Sequence, residues 1–396
     1  MMIKTLNDIS VSGKKVIVRV DLNVPVKDGV ITSVKRIAAV VPTIKKLVAD
    51  NAKVILLSHL GRVKSVEDLP KRDLTPVAVE LANQLNQTVT FVNATRGEMV
   101  EKAIDEMQFG EVILLQNTRY EDLNDKAESK NSPELGKYWA SLADVYVNDA
   151  FGTSHRAHAS NVGISTYIKE SAIGYLVEKE TEALHKAMDN PERPYVAIVG
   201  GAKVSDKIQV LENLAKVADK MIVAGGMAYT FKKAQGYNVG TSLVEDDYLE
   251  LAKNFLQKYG DKVVLPEDHL CATEFADVEP VVQGYGVEDG FMGLDIGPKS
   301  VELFKETIQG AKTVVWNGPV GVTEFENYKN GTLEVCKMIA SLEGVYSVVG
   351  GGDSVAAVQK LGMEDKFSHV STGGGAILEM LQGRKLPGIE AIQRKN

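Results

Sequence analysis

Cysteine is nearly absent: Cys271 and Cys336 are the only two in 396 residues. Two thiols cannot build a disulfide framework and fit a reducing compartment. No apolar run approaches the ~18 residues needed to cross a bilayer. The opening stretch, Met1-Met2-Ile3-Lys4-Thr5-Leu6-Asn7-Asp8, has no apolar core of the kind that leads an export signal, so a cytoplasmic chain without membrane contact is expected. Positive charge is short as well, with 45 Lys plus Arg against 53 Asp plus Glu and a net charge of −8. An acidic chain is a poor general partner for nucleic acid, because that affinity comes from neutralised phosphates. Familiar catalytic patterns are also missing: there is no G-x-x-x-x-G-K-[ST], H-E-x-x-H, paired C-x-x-C, G-x-S-x-G or D-F-G. Gly284-Tyr285-Gly286-Val287-Glu288-Asp289-Gly290 is one residue too long for G-x-G-x-x-G and opens no helical pattern. The most informative absence is of arginine from half the chain. The ten arginines are 19, 36, 62, 72, 96, 119, 156, 193, 384 and 394, and none lies between 194 and 383.

Glycine is the one excess, 35 of 396 residues, about 9% against a usual ~7%. Hydrophobic residues are 44% and charged ones 25%, ordinary for a folded protein, and the length fits two or three domains. Short β-branched runs recur at residues 16–20, 54–57, 112–115, 145–147, 195–199, 221–224, 263–265, 313–316 and 347–349. Such near-continuous apolar runs mark strands buried on both faces, as in parallel sheets covered by helices. Helical patterns lie between them, for example over 133–143, 207–220 and 248–259. The alternation predicts an α/β chain of two doubly wound, Rossmann-like parallel-sheet domains. A charged helical stretch over 174–188, ended by Pro191 and Pro194, reads as the connecting helix and hinge. The expected boundaries are 1–173, 174–188, 189–376 and a tail of 377–396.

Open α/β sheets bind ligands at the carboxyl ends of their strands, and the two halves carry different residues there. The first half presents Asp21-Leu22-Asn23, Ser58-His59-Leu60-Gly61-Arg62, Asn117-Thr118-Arg119 and Asn148-Asp149-Ala150-Phe151-Gly152, with His155 and Arg156 just beyond and Arg36 opening a helix. Arginine grips phosphate and carboxylate in a bidentate fashion. The second half presents Gly200-Gly201-Ala202-Lys203, Gly225-Gly226, Asn317-Gly318-Pro319, Gly350-Gly351-Gly352-Asp353-Ser354 and Thr372-Gly373-Gly374-Gly375. There an anion must be held by backbone amides, helix N-termini and lysine. Two anion chemistries suggest two anionic ligands. Blander readings stand beside these: tight turns with solvated lysines for 200–207, a helix cap rather than a Mg²⁺ ligand for Asp353, surface ion pairs for single arginines. Arg19, inside a buried-looking strand, is expected to pair internally with a carboxylate. His158, His185, His269 and His369 are read as structural. A nucleotide-dependent dehydrogenase and a non-catalytic two-lobed anion-binding protein are the rival functions. The first would not need the arginine set, and the second would need neither Lys203 nor Asp353.

The motifs Arg19-Val20-Asp21-Leu22-Asn23-Val24-Pro25, Ser58-His59-Leu60-Gly61-Arg62, residues 147–156, Gly200-Gly201-Ala202-Lys203-Val204-Ser205-Asp206-Lys207, Trp316-Asn317-Gly318-Pro319 and Gly350-Gly351-Gly352-Asp353-Ser354, in this order, resemble the phosphoglycerate kinase family over essentially the whole chain. The resemblance implies glycolytic transfer of the acyl phosphate of 1,3-bisphosphoglycerate to Mg-ADP, giving 3-phosphoglycerate and ATP, with no nucleic-acid or membrane partner and a monomeric chain. It places the triose on Asp21, Asn23, Arg36, His59, Leu60, Gly61, Arg62, Arg119 and Arg156. It places the nucleotide on Lys207, Gly293, Glu324, Gly351, Gly352, Asp353, Ser354, Gly373 and Gly374. Asp353 would serve Mg²⁺, Glu324 the ribose, and Arg36 with Lys203 the transferring phosphoryl group. The tail would pack back on the first domain. Departures from the family pattern are Leu22, Val63, Gln116, Thr323 and Ile377.

Overall fold

Each β-branched run forms a strand in the computed structural model, which describes residues 2–394. The chain divides into two units, Met1–Thr181 with Lys385–Asn396, and Glu182–Arg384. The first holds β1 (Lys15–Val20), β2 (Val26–Lys27), β3 (Val30–Ile31), β4 (Lys53–Leu57), β5 (Val89–Val92), β6 (Val112–Leu115), β7 (Val145–Asp149) and β8 (Glu170–Ile173). Its main sheet has the order β5-β6-β4-β1-β7-β8 and is parallel throughout, while β2 and β3 make a small antiparallel pair. The second unit holds β9 (Tyr195–Val199), β10 (Lys220–Val223), β11 (Val263–Val264), β12 (His269–Ala272), β13 (Val281–Gln283), β14 (Met292–Ile296), β15 (Thr313–Asn317), β16 (Tyr346–Gly350) and β17 (His369–Val370). Its main sheet runs β11-β10-β9-β15-β16-β17, again parallel. A separate antiparallel sheet has the order β13-β12-β14.

Both faces of each main sheet are dry. In the first unit, Val16, Val18, Val54, Leu56, Val112 and Leu114 pack under the helices Lys35–Ala49 and Thr75–Leu85. The alternate residues Ile17, Ile55, Leu57, Ile113 and Leu115 are equally buried. In the second, Val196, Ile198, Val314, Trp316 and Val349 meet Phe304, Ile308, Val335 and Ile339 of the helices Pro298–Ile308 and Asn330–Ala340. The chain reverses direction across the sheet between β1 and β7, and between β9 and β15. These are the switch points where a doubly wound sheet opens a crevice at its carboxyl edge.

The unit boundary falls inside the helix Tyr175–Met188, the stretch expected to connect the domains. The second boundary lies at Arg384 rather than 376, because Ile377 and Leu381 belong to the buried face of the helix Gly374–Leu381 and Asn213 Nδ2 donates to the Leu381 carbonyl at 3.0 Å. From Lys385 the chain is part of the first unit. Gly388 N donates to Ser154 O at 2.9 Å, Asn148 Nδ2 donates to Gly388 O at 2.9 Å, and Leu386, Ile389 and Ile392 are buried.

Asp149, the last residue of β7, starts the helix Tyr175–Met188. Its Oδ1 accepts from the amides of Leu176 at 2.9 Å and Val177 at 3.3 Å, satisfying orphan donors of the first turn. Complete burial pushes its carboxyl up to about 6, against the pull of Thr43 and the two amides. A raised folded value means that this group's stabilisation is complete below about pH 4 and is lost as pH rises to about 6, on the order of 3 kcal/mol in all. The stability of the wild type minus that of Asp149→Asn, from urea midpoints between pH 4 and 7, is expected to fall by that amount. A difference independent of pH would show an ordinary carboxyl.

Candidate active site

At the carboxyl edge of the first unit, cations are backed by carboxylates. Arg36 Nη1 donates to both oxygens of Asp21, at 3.0 and 2.9 Å. Burial alone would raise the Asp21 carboxyl, but Arg36 first and Arg19 behind it overcome that and hold it below the usual range. Arg119 is buried and its Nη1 donates to Asp122 Oδ2 at 2.7 Å. Asn23 Oδ1 accepts from Gly61 N at 2.8 Å, and Leu22 N donates to Ser58 Oγ at 2.9 Å, so the loops after β1 and β4 are stitched together. Asn117 Nδ2 donates to Leu60 O and Arg72 O, both at 2.9 Å, tying in the next loop. Arg62 and Arg156 are exposed, and His59 and His155 half-buried. Among the described residues no ion pair holds Arg62. Thus Asp21, Asn23, Arg36, His59, Leu60, Gly61 and Arg119 meet at this edge, with Arg62 and Arg156 on loops beside it.

Arg19, expected to pair internally with a carboxylate, reaches one through a hydroxyl. Its Nε donates to Ser160 Oγ at 2.8 Å, and Ser160 Oγ donates to the fully buried Glu128 Oε1 at 2.5 Å. Glu128 and Ser160 carried no signal in the sequence, since Arg19 and Ser160 are 141 residues apart and Ser160 and Glu128 are 32 apart; Asp122 is only three residues from Arg119 but sits in no motif that marks it. Gln116, one of the departures from the pattern that the resemblance implies, uses donors that a carboxylate would lack: its Nε2 donates to Asp73 Oδ2 at 2.8 Å and Asn93 Oδ1 at 2.9 Å.

The second unit builds its edge from backbone. Gly200 N donates to Asn317 O and Gly201 N to Pro319 O, both at 2.9 Å. The two loops touch so closely that a Cβ on Gly200 or Gly318 would strike the other's backbone. Lys207 Nζ donates to Asn317 Oδ1. Burial lowers the Lys207 ammonium, with Asp206 and Asp353 acting in the opposite sense. Asn317 Nδ2 donates to Gly350 O at 3.1 Å, and Gly318 N to the buried Ser354 Oγ at 2.8 Å. Gly351 and Gly373 precede the helices Gly352–Lys360 and Gly374–Leu381. A Cβ on Gly374 would lie 3.9 Å from Gly352 N, so two helix N-termini share one spot, a natural anion site. The N-terminus of Val204–Val217 is already occupied: Ser205 N and Oγ donate to Glu245 at 3.0 and 2.6 Å. Lys203, at the cap of that helix, is exposed.

Gly293 and Glu324 lie elsewhere in this unit. Gly293, on β14, donates its N–H to Ser242 Oγ at 3.0 Å, and a Cβ there would overlap the hydroxyl of Tyr229. Packing alone therefore demands glycine at 293. Glu324 is exposed in the turn after Val320. His269, read as structural, is buried with its Nδ1 3.0 Å from Tyr229 Oη.

Among the described residues no three His, Cys, Asp or Glu side chains gather to cage a metal. Asp353 offers one exposed carboxylate in the first turn of its helix. A single hard oxygen ligand beside an anion site fits Mg²⁺, which keeps waters and shares its coordination with phosphates.

Two doubly wound parallel sheets, one edged with carboxylate-backed arginines and the other with glycine loops, a lysine and paired helix N-termini, define a nucleotide-dependent phosphotransferase. The family is shown by comparison. The family model described as Phosphoglycerate kinase matches residues 6–384, and the chain belongs to that family, whose members transfer phosphate to a carboxyl group. It is 57% identical to a phosphoglycerate kinase of Spiroplasma citri and 55% identical to one of Enterococcus faecalis, in each case over 99% of both chains. Among solved structures, phosphoglycerate kinase from Coxiella burnetii superposes with a TM-score of 0.88 at 39% identity, covering 98% of each chain.

The packing separates two kinds of glycine. Gly293→Ala is expected to cost about 1–3 kcal/mol from overpacking against Tyr229. Gly352→Ala, with open space around its Cβ, is expected to hold or gain stability by up to about 1 kcal/mol. Thermal melts of both variants test this, and a destabilised Gly352→Ala beside an unaffected Gly293→Ala would reverse the assignment.

Proposed function

We propose that the chain catalyses reversible phosphoryl transfer from the acyl phosphate of 1,3-bisphosphoglycerate to ADP, giving 3-phosphoglycerate and ATP in glycolysis. The observation that carries this reading is the split of anion chemistry between the two sheet edges. The triose lies on the arginine edge, at Asp21, Asn23, Arg36, His59, Leu60, Gly61, Arg62, Arg119 and Arg156. Asp21 acts there by orienting Arg36. The nucleotide lies on the glycine edge, its phosphates at Lys207, Gly351, Gly352, Asp353, Ser354, Gly373 and Gly374, and its nucleoside at Gly293 and Glu324. The chain works alone, in the cytoplasm, on these small molecules.

No side chain has to remove a proton. The attacking oxygen belongs to an ADP phosphate, or in reverse to a carboxylate, and is ionised at pH 7. His59 would be a feeble base in any case, since burial and then Arg19 push its ring down to about 3. Catalysis is then positioning plus stabilisation of charge spread over a loose phosphoryl group. Arg36 and Lys203 supply that charge from the two units, which close on their ligands and exclude water. Asp353, with the nucleotide's phosphates, would hold Mg²⁺, which when bound neutralises phosphate charge.

Lys203 is exposed, and in this reading its charge serves the transferring group rather than either bound ligand. Lys203→Ala is expected to lower turnover about 10²–10³-fold with the Kd values of ADP and 3-phosphoglycerate within a few-fold of wild type. A coupled assay for ATP formation, with calorimetry for each ligand, measures both. Wild-type turnover in the variant would remove Lys203 from the reaction, and an inactive wild type would remove the function.

A further inference from the structure

We propose that Glu128, acting through Ser160 and Arg19, is a positioning residue that locks His59 as the neutral tautomer carrying its proton on Nε2. The inference rests on His59 belonging to the triose site, and it deepens that reading by fixing what His59 offers a ligand.

The argument is one of donors and acceptors. Arginine can only donate. Arg19 Nε lies 2.8 Å from Ser160 Oγ, so the serine oxygen is the acceptor there and its single proton points elsewhere. It points to Glu128 Oε1, 2.5 Å away. The other carboxylate oxygen of Glu128 takes the Ser160 amide at 2.9 Å, so the acid grips its serine at both ends. A second arm of Arg19, Nη1, donates to the carbonyl of Val20. The third, Nη2, lies 3.2 Å from His59 Nδ1. That nitrogen must therefore be a bare acceptor, which leaves the ring's proton on Nε2. A doubly protonated ring would set N–H against N–H, and Arg19 cannot swing away, because Ser160 and Val20 hold its other nitrogens in a fully buried site.

The surroundings point the same way. Arg19 and Asp21 face His59 from β1 and the loop after it, Arg36 from its helix and Arg119 from the turn after β6. His158, itself neutral and driven down to about 2 by burial and these arginines, lies on the far side near Glu128. Three cations against one carboxylate, in a desolvated setting, oppose a charge on the ring. The buried Glu128 would be costly without Arg19, and Arg19 without Glu128. Their joint product is a histidine that presents one fixed, uncharged N–H donor at the carboxyl edge of the sheet. Such a donor binds a phosphate or carboxylate oxygen equally well from pH 5 to pH 8, where an ordinary histidine would lose its charge.

The experiment is ¹⁵N NMR of the imidazole nitrogens in the full-length protein with labelled histidine, assigned with His59→Gln. The wild type is expected to show a pyridine-like Nδ1 and a pyrrole-like Nε2 at His59, unchanged between pH 8 and pH 5. Ser160→Ala breaks the chain at its middle. It is expected to give averaged His59 tautomer shifts and a KM for 3-phosphoglycerate raised about two- to fourfold, because the binding tautomer is then present only part of the time, with the KM for ADP unchanged within error. A wild-type ring with its proton on Nδ1, or one that becomes imidazolium between pH 8 and pH 5, overturns the relay. An unchanged His59 spectrum in folded Ser160→Ala does so too, and if that variant does not fold the wild-type spectrum still decides. Adding 3-phosphoglycerate to the wild type separates the two claims: a locked tautomer with no ligand response supports the relay and takes His59 out of the triose site.

Discussion

A parallel sheet covered on both faces has only its edges left for chemistry. That constraint governs both halves of this chain. The strands are buried so completely, from Val16–Val20 to Val314–Trp316, that no side chain within them can meet a ligand. The loops at the carboxyl ends, above all beside the switch points β1/β7 and β9/β15, inherit the whole task. Tail, connecting helix and antiparallel sheet are additions to this frame.

In the proposed function the two edges meet the same demand, holding an anion, in opposite ways. The first uses full charges, and charges taken partly out of water are costly unless compensated. Asp21 under Arg36, Asp122 under Arg119 and Glu128 behind Arg19 supply that compensation and fix each guanidinium in place. The second edge has no arginine and relies on partial charges of the backbone. Glycines let the loops at 200 and 318 touch, Asn317 and Ser354 pin them, and two helix N-termini converge near Gly352 and Gly374. Full charges offer strength and bidentate shape. Backbone dipoles offer close approach without a large desolvation cost.

Much of this was legible beforehand, where a signal was local. The central strands announced themselves as apolar runs, and the arginine-free second half announced a change of chemistry. Three edge strands were not legible: β5 is half exposed, β8 contains Glu170 and Ser171, and β13 carries exposed Val281 and Val282, so none gives a continuous run. The antiparallel sheet was missed for the same reason. The residues that hold the site were invisible because their partners are distant in sequence, as with Arg19 and Ser160. Glycine was legible only as a residue, and its cause was not: Gly293 answers to the ring of Tyr229, whereas Gly352 has open space around the position of a Cβ. The connecting helix was legible as a charged stretch, but the point within Tyr175–Met188 at which one unit gives way to the next was not, because a helix that continues across it leaves no break in pattern.

The central claim is that each sheet edge serves one anionic ligand. Amide and methyl NMR of the intact protein, titrated with 3-phosphoglycerate alone and with Mg-ADP alone, tests it most directly. The account predicts that 3-phosphoglycerate moves signals of residues at 21–23, 59–62, 119 and 156, and that Mg-ADP moves those at 200–207, 317–318, 351–354 and 373–374. Both ligands moving the same edge, or each moving the other's, would contradict it.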